Sequence, residues 1–218
     1  MPADNAQDYW NRLADTYQED VAYVVGSDLH DVILKRLGRE SDLGRVAEFG
    51  CGTGLFTHTI ADNAQEVVAT DASARMVVVA RRRLAGLSNV SVRQAPCPAS
   101  GLDEAAYDTV LMANLIHMVP DPHAVLGEAW RVLRPGGRVL VISYTPRGMT
   151  LRAKLMMMWR YLRRIGLPPR HGRSVSPARL REWILEIGFR PLTVETVGET
   201  VKAVFVSALK PAPPSTGT

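Results

Sequence analysis

The sequence predicts an α/β fold: a mostly parallel sheet with helices on both faces and an antiparallel pair of strands at its end. Three observations carry this. Short hydrophobic runs alternate with helical stretches from residue 45 to residue 144, the pattern of strands buried on both faces. A glycine turn, "GCGTG" at 50–54, follows the first of these runs directly. Two further β-type runs, "RPLTVETV" and "VKAVFVSAL", flank Gly198-Glu199-Thr200 as a hairpin.

The elements follow in order. Residues 7–37 read as helical, with Tyr9, Trp10, Tyr17 and Tyr23 set among many acids. "RVAEF" (45–49) is a strand and Leu55 to about Ala64 a helix. "EVVATD" (66–71) and "VSVRQ" (90–94) are strands, separated by a helix from Ala74 to about Ala85. "YDTVLMAN" (107–114) is a strand, and 121–133 a helix with Asp121 as its cap and Pro122 in its first turn. "PGG" (135–137) turns the chain into the strand 138–144. A last helix starts at Ser176-Pro177 and stops at Gly188. The expected organisation is one domain over 1–210: a helical cap (1–43), a core (44–145), a basic lid insertion (146–175), then the last helix and hairpin (176–210). Residues 211–218 are expected to be a disordered tail.

Composition narrows the function classes. Apolar residues make up 46% and charged residues 22%, which is ordinary for a globular protein. The two cysteines, Cys51 and Cys97, imply no disulfide framework and suit a reduced, cytoplasmic setting. No apolar run reaches membrane-spanning length, and no signal pattern opens the chain. The net charge of +4 is uneven. Residues 147–173 hold eight bases and no acid, leaving eighteen bases against twenty-two acids elsewhere, a net of −4. A general polyanion binder would be basic throughout.

A strand that runs into a glycine turn and then a helix exposes backbone N–H groups to a ligand lying against the main chain. Asp71 ends the next strand, twenty-one residues after Gly50, where a carboxylate can accept both hydroxyls of an adenosine ribose. Three details separate the adenosine cofactors. The sixth-place glycine of a dinucleotide fingerprint is missing, since Leu55 and Phe56 follow Gly54. Glu48 would repel a pyrophosphate and suits a cationic group instead. The downstream "VLRPGGRVLVIS" and hairpin are not a second mononucleotide half. S-adenosylmethionine meets all three conditions, having a ribose, an α-amino group and no phosphate. NAD is the distant competitor.

With these residues in view, the chain resembles class I S-adenosylmethionine-dependent methyltransferases of the small-molecule type 11 group. The matching segments are "EFGCGTG" (48–54), "DASARM" (71–76), "YDTVLMANLIHMVPDP" (107–122) and "EAWRVLRPGGRVLVI" (128–142). The resemblance implies a Rossmann-like seven-stranded sheet with its last strand antiparallel. It implies that Gly50, Gly52 and Gly54 back the cofactor; Cys51 among them is a cofactor-contact candidate, with a small buried filler as the alternative. Glu48 would serve the methionine end and Asp71 the ribose. Ala72 and Met76 would lie near the adenine, Asn114 beneath the methionine tail and Tyr17 over the cofactor. Relatives place an acid after the third strand where this chain has Pro96, so the adenine contact would pass to the Cys97 backbone.

Methyl transfer needs mainly positioning and exclusion of water, so neither a covalent intermediate nor a metal is expected. His117 is the candidate general base, His171 a weaker one, and the alternative for His117 is simple loop packing. In the basic insertion, Leu151, Leu155, Met158, Trp159, Tyr161, Leu162 and Ile165 share one helical face, with Arg152, Arg160, Arg163 and Arg164 opposite. Three readings follow: a lid with its apolar face over the site, an arginine cluster for an anionic acceptor, or a membrane-surface helix. Trp10, His117, Met157, Trp159 and Tyr161 are the acceptor-pocket candidates. The expected function is methyl transfer to O, N or S of a small anionic or aromatic molecule, releasing S-adenosylhomocysteine. Alternatives are a lipophilic-acceptor enzyme at a membrane surface and a non-catalytic cofactor-binding scaffold. A nucleic-acid acceptor ranks below a small molecule, because "ANLI" replaces the Asn/Asp-Pro-Pro-aromatic run of base methylases.

Overall fold

A computed structural model describes residues 4–167 and 172–213. His171 and positions 214–218 of the expected tail lie outside the described residues.

Three helices lead in, α1 (Asp4–Leu13), α2 (Tyr17–Val25) and α3 (Ser27–Leu37), where the sequence suggested a continuous helical stretch. Gly26, at φ +89°, ends α2 and starts α3. Then β1 (Arg45–Phe49), α4 (Leu55–Ala61), β2 (Glu66–Asp71), α5 (Ala74–Arg83) and β3 (Val90–Gln94) alternate. A single 3-10 turn (Cys97–Ala99) precedes β4 (Tyr107–Ala113). It is followed by α6 (Pro122–Val132), β5 (Leu133–Thr145), α7 (Leu151–Arg164), α8 (Pro177–Ile187), β6 (Arg190–Val197) and β7 (Lys202–Leu209). Polar caps set several helix starts. The side chains of Ser73, Asp121, Thr150 and Ser176 each accept from a backbone N–H of the first turn.

Two boundaries differ from the sequence reading. α4 stops at Ala61, three residues early, and Asn63 and Ala64 turn the chain back with N–H bonds to Ile60 and Ala61. The "PGG" segment belongs to β5 as an irregularity, with a register shift between Tyr107 and Thr109 on the partner strand. Lys210 holds that irregularity. Its backbone exchanges bonds with Gly136 and Gly137, and its ammonium donates to the Trp130 and Leu133 carbonyls at 2.7 Å each.

The sheet has seven strands in the order β3-β2-β1-β4-β5-β7-β6. β7 alone runs antiparallel, wedged between β5 and β6, so the sheet matches the expected form. The strand order reverses between β1 and β4, and the cleft of such a sheet opens there, beyond the carboxyl ends. Alternate residues feed the two faces. Phe49, Met112, Val141 and Val206 pack under α6 and α8. Val46, Leu111, Leu140 and Phe205 pack under α2 to α5. β6 closes the edge with alternately exposed residues, and Arg36 pairs there with Glu195.

Candidate active site

β1 delivers the chain to the cleft and three glycines turn it, with φ of +67° at Gly50, +54° at Gly52 and +82° at Gly54. All three lie in the left-handed region that L side chains avoid. Their surroundings differ. A Cβ at Gly50 would sit 2.7 Å from Leu115 Cδ1, and one at Gly54 would sit 2.8 Å from Leu84 Cδ1. Gly52 faces open space, with only the Tyr17 ring 3.7 Å away. Gly50 and Gly52 line the first cavity, of about 250 Å³, whereas Gly54 does not. Gly54 lets α4 start tightly against α5, which is a packing role.

Two acids end successive strands, as expected, but their environments differ. Asp71 lines the cavity; its carboxylate accepts from Gly52 N–H at 2.9 Å and Ser73 N–H at 2.8 Å. Burial raises its pKa, and those two N–H donors pull it back down. Among the lining residues Asp71 is the one carboxylate, and none is Lys or Arg. Glu48 stands behind the wall rather than in it, 1% exposed. Thr57 Oγ1 donates to its Oε2 at 2.5 Å, and its Oε1 has no partner. Burial pushes the Glu48 carboxyl up to about 7, opposed by the Thr57 bond and assisted by the charge of Asp71.

The adenine side is apolar. Ala72 and Met76 face Ala95, Pro96, Cys97 and Pro98 across the cavity, with no acid in the 95–98 wall. Cys51 and Cys97 also line it, both with thiol pKa raised by burial, Cys97 to about 12. Both are neutral near pH 7.

Asn114 follows β4 at φ +55°, a conformation that Asn tolerates better than most residues. Its N–H donates to Ile142 at 2.7 Å, and its buried Oδ1 has no partner. Beside it stands Tyr144, whose hydroxyl lies 3.1 Å from His30 Nε2. Burial raises the Tyr144 and Tyr17 hydroxyl pKa values and lowers that of His30, so all three are neutral at pH 7. Sequence reasoning missed Tyr144 and His30. Tyr144 carried a signal, since it ends the fifth strand as Asp71 ends the second. His30 carried none.

A second, more apolar cavity of about 460 Å³ shares Trp10, Tyr17, Val21, Asn114, Met118 and Tyr144 with the first. Of the acceptor-pocket candidates, Trp10, His117, Met157 and Tyr161 line it and Trp159 does not. Its roof is α7, held by a Tyr9–Tyr161 hydroxyl bond of 2.8 Å and by an ion pair of Arg164 with Asp20. The inward stripe of α7 is the buried Ala153 with the partly buried Met157 and Tyr161, continued by Ile165 at its C-cap. This corrects the expected orientation. Leu151, Leu155, Trp159 and Leu162 are exposed, Met158 is half exposed at the rim of the cavity it lines, and Trp159 lies on the outer surface beneath Arg163, not in the pocket. The reason is that Arg160 and Arg164 are drawn inward to Tyr23 O and Asp20 of α2, which rotates the leucines outward.

His117 is desolvated, and its pKa falls to about 4. Its Nδ1 lies 3.1 Å from Ser143 Oγ, and its carbonyl accepts from Arg173 N–H at 2.9 Å. A neutral imidazole with so low a pKa is a weak base.

Residues 47–141 match a family model described as a methyltransferase domain. A demethylmenaquinone methyltransferase of Clavibacter sepedonicus is 34% identical over 101 residues, which is 46% of this chain and 41% of that protein. The chain thus spans less than half the length of that relative. A tRNA 5-carboxymethoxyuridine methyltransferase of Escherichia coli strain K12 is 27% identical over 191 residues, covering 83% of this chain and 70% of that protein. Among solved structures, an S-adenosylmethionine-dependent methyltransferase from Aquifex aeolicus superposes with a TM-score of 0.66 at 20% identity, covering 94% of this chain and 98% of that one. That likeness concerns the fold. The family match assigns residues 47–141 to a methyltransferase domain, and the strand-end cleft and the shared fold agree with it.

Proposed function

We propose that this chain transfers a methyl group from S-adenosylmethionine to an O, N or S atom of a small, apolar or aromatic acceptor held beneath α7. The observation that carries the reading is the joined pair of cavities, with Tyr17, Asn114 and Tyr144 at their junction. One chamber has the Asp71 carboxylate and a bare glycine turn, and the other is large enough for a ring system.

The residues present fit the cofactor. Two buried oxygens near the methionine end, Glu48 Oε1 and Asn114 Oδ1, have no partner, and an ammonium would satisfy such acceptors directly or through water. Asp71 has lone pairs left for ribose hydroxyls, and the lack of lining Lys or Arg disfavours a diphosphate. Ala72, Met76 and the Cys97 segment would sandwich the adenine, and Tyr17 would cover the site from α2. When bound, the cofactor would supply an electrophilic methyl group for the lone pair of an acceptor held beside it.

The chain's part is positioning and desolvation, which can supply about 7–11 kcal/mol in well-aligned cases. His117 stays neutral and shapes the acceptor chamber. A general base would be worth roughly two to four powers of ten, so His117→Ala should lower kcat by less than about tenfold while raising the acceptor KM. A larger loss of kcat, with a pH profile that loses an acidic limb, would restore it as the base.

Calorimetry with S-adenosylmethionine, then turnover against pooled phenols, thiols, carboxylates, amines and lipids, tests the whole reading. Absence of cofactor binding ends it. A carboxylated tRNA nucleoside belongs in the pool because of the Escherichia coli relative. The second reading, a non-catalytic binding protein, draws on Pro96 standing in the adenine wall, and binding without turnover is its signature.

A further inference from the structure

We propose that the outer face of α7 docks on an anionic lipid bilayer. The helix is seated by its inner stripe, yet Leu151, Leu155, Trp159 and Leu162 point away from the body at 72%, 62%, 54% and 46% exposure. Leu167, just past the helix, is 80% exposed. Four large apolar side chains on one face of a 14-residue helix exceed the scattered exposure normal for a monomer.

The charge around this stripe selects its occupant. Arg152 and Arg163 are exposed on the same helix, Arg147 is exposed just before it, Lys154 is exposed while also lining the inner cavity, and 147–173 contains no acid. Arg163 lies over the Trp159 ring at 5.3 Å, placing a cation and an amphipathic aromatic together. A second copy of this chain would bring two wholly basic segments into apposition, which like-charge repulsion opposes. The stripe is the outer side of a single helix. An apolar stripe bordered by Arg and Lys with Trp at its margin is the pattern of a helix lying in the headgroup layer. The remaining chain is net negative, so attraction to anionic lipid would be confined to this face.

The same helix roofs the apolar cavity through Met157 and Tyr161. Docking would set that chamber beside the hydrocarbon and make a lipophilic acceptor the natural substrate class. This corollary rests on the proposed methyl transfer, whereas the docking does not.

The test is flotation of the full chain with vesicles of phosphatidylcholine containing about 30% phosphatidylglycerol, against phosphatidylcholine alone, at near-physiological salt. Binding should be about tenfold stronger on the anionic vesicles. The Leu151→Gln/Leu155→Gln/Leu162→Gln variant should lose about tenfold of it, and Leu155→Gln alone a part, with thermal midpoint and S-adenosylmethionine affinity unchanged. Three results would overturn the proposal: no binding to anionic vesicles, binding that survives the leucine changes, or a solution dimer or acidic-protein complex that those changes disperse while vesicles stay unbound. Calorimetry on the same samples separates the two claims. Cofactor binding without vesicle binding sinks only the docking, and vesicle binding without cofactor binding sinks only the methyl transfer.

Discussion

The floor of the cleft is made of strand ends: Gly52 after β1, Asp71 at the end of β2, Asn114 after β4 and Tyr144 near the end of β5. The first three end or follow strands paired in parallel ladders, Tyr144 pairs with Ala203 in the antiparallel β5–β7 ladder, and Phe49 and Leu111 beneath are fully inaccessible. The roof is made of helices α1, α2 and α7, joined by the Tyr9–Tyr161 hydroxyl pair, the Arg164–Asp20 ion pair, Arg160 on Tyr23 and a narrow stripe of apolar side chains. The difference teaches where precision is needed. On the proposed reading, a cofactor of fixed shape would meet the strand-end floor, and an acceptor that must enter and leave would meet the helical roof.

Substitutions should separate the two regions. The largest effect belongs to the floor's core. Phe49→Ala should cost about 3–5 kcal/mol in chemical denaturation, whereas Leu155→Ala on the roof's outer side should stay within about 0.5 kcal/mol. Similar costs would mean that the two regions are equally integrated. Next comes Asp71→Ala, which removes a charged acceptor. Hydrogen bonds to charged groups are worth about 1.5–3 kcal/mol, so the cofactor dissociation constant should rise roughly 10- to 150-fold, measured by calorimetry.

The third effect is pH-dependent. Burial raises the Glu48 pKa from an ordinary 4.5 to about 7, so the folded state holds this proton more tightly than the unfolded chain. The linked stability is complete below pH 4.5 and is lost as pH rises through 7, and Asp71, also raised, adds in the same direction. Glu48→Gln should flatten stability between roughly pH 5 and 8. A bound ammonium favours the carboxylate, so cofactor binding should release protons near neutrality, seen as a buffer-dependent calorimetric enthalpy. Unchanged proton release in Glu48→Gln would place the titration elsewhere. The smallest effect is Tyr161→Phe, which removes the bond to Tyr9 at a cost of about 0.5–1.5 kcal/mol. Faster amide exchange confined to 151–165 is the expected readout, and exchange spreading into β1 would erase the distinction between floor and roof.

Glycines at fixed offsets, an acid at the end of β2 and the proline-glycine punctuation were readable because each acts within a few residues of itself. Asp121 and Ser176 cap their helices where the pattern put them. Glu48 was legible as a strand-end acid, but not as one lying behind the cavity wall. That depends on Thr57, nine residues on, turning back to it. Gly54 was read as a ligand contact and instead makes room for Leu84, thirty residues away.

Local chemistry alone therefore specified the alternation of strands and helices, the glycine turn and the carboxylate beside it, because periodicity, capping and positive φ are short-range constraints. The rotation of α7 and the shared junction of the cavities were decided only when the chain closed on itself. Arg164 meets Asp20 across 144 residues and Tyr161 meets Tyr9 across 152, and these distant pairings outweighed the helix's own apolar pattern.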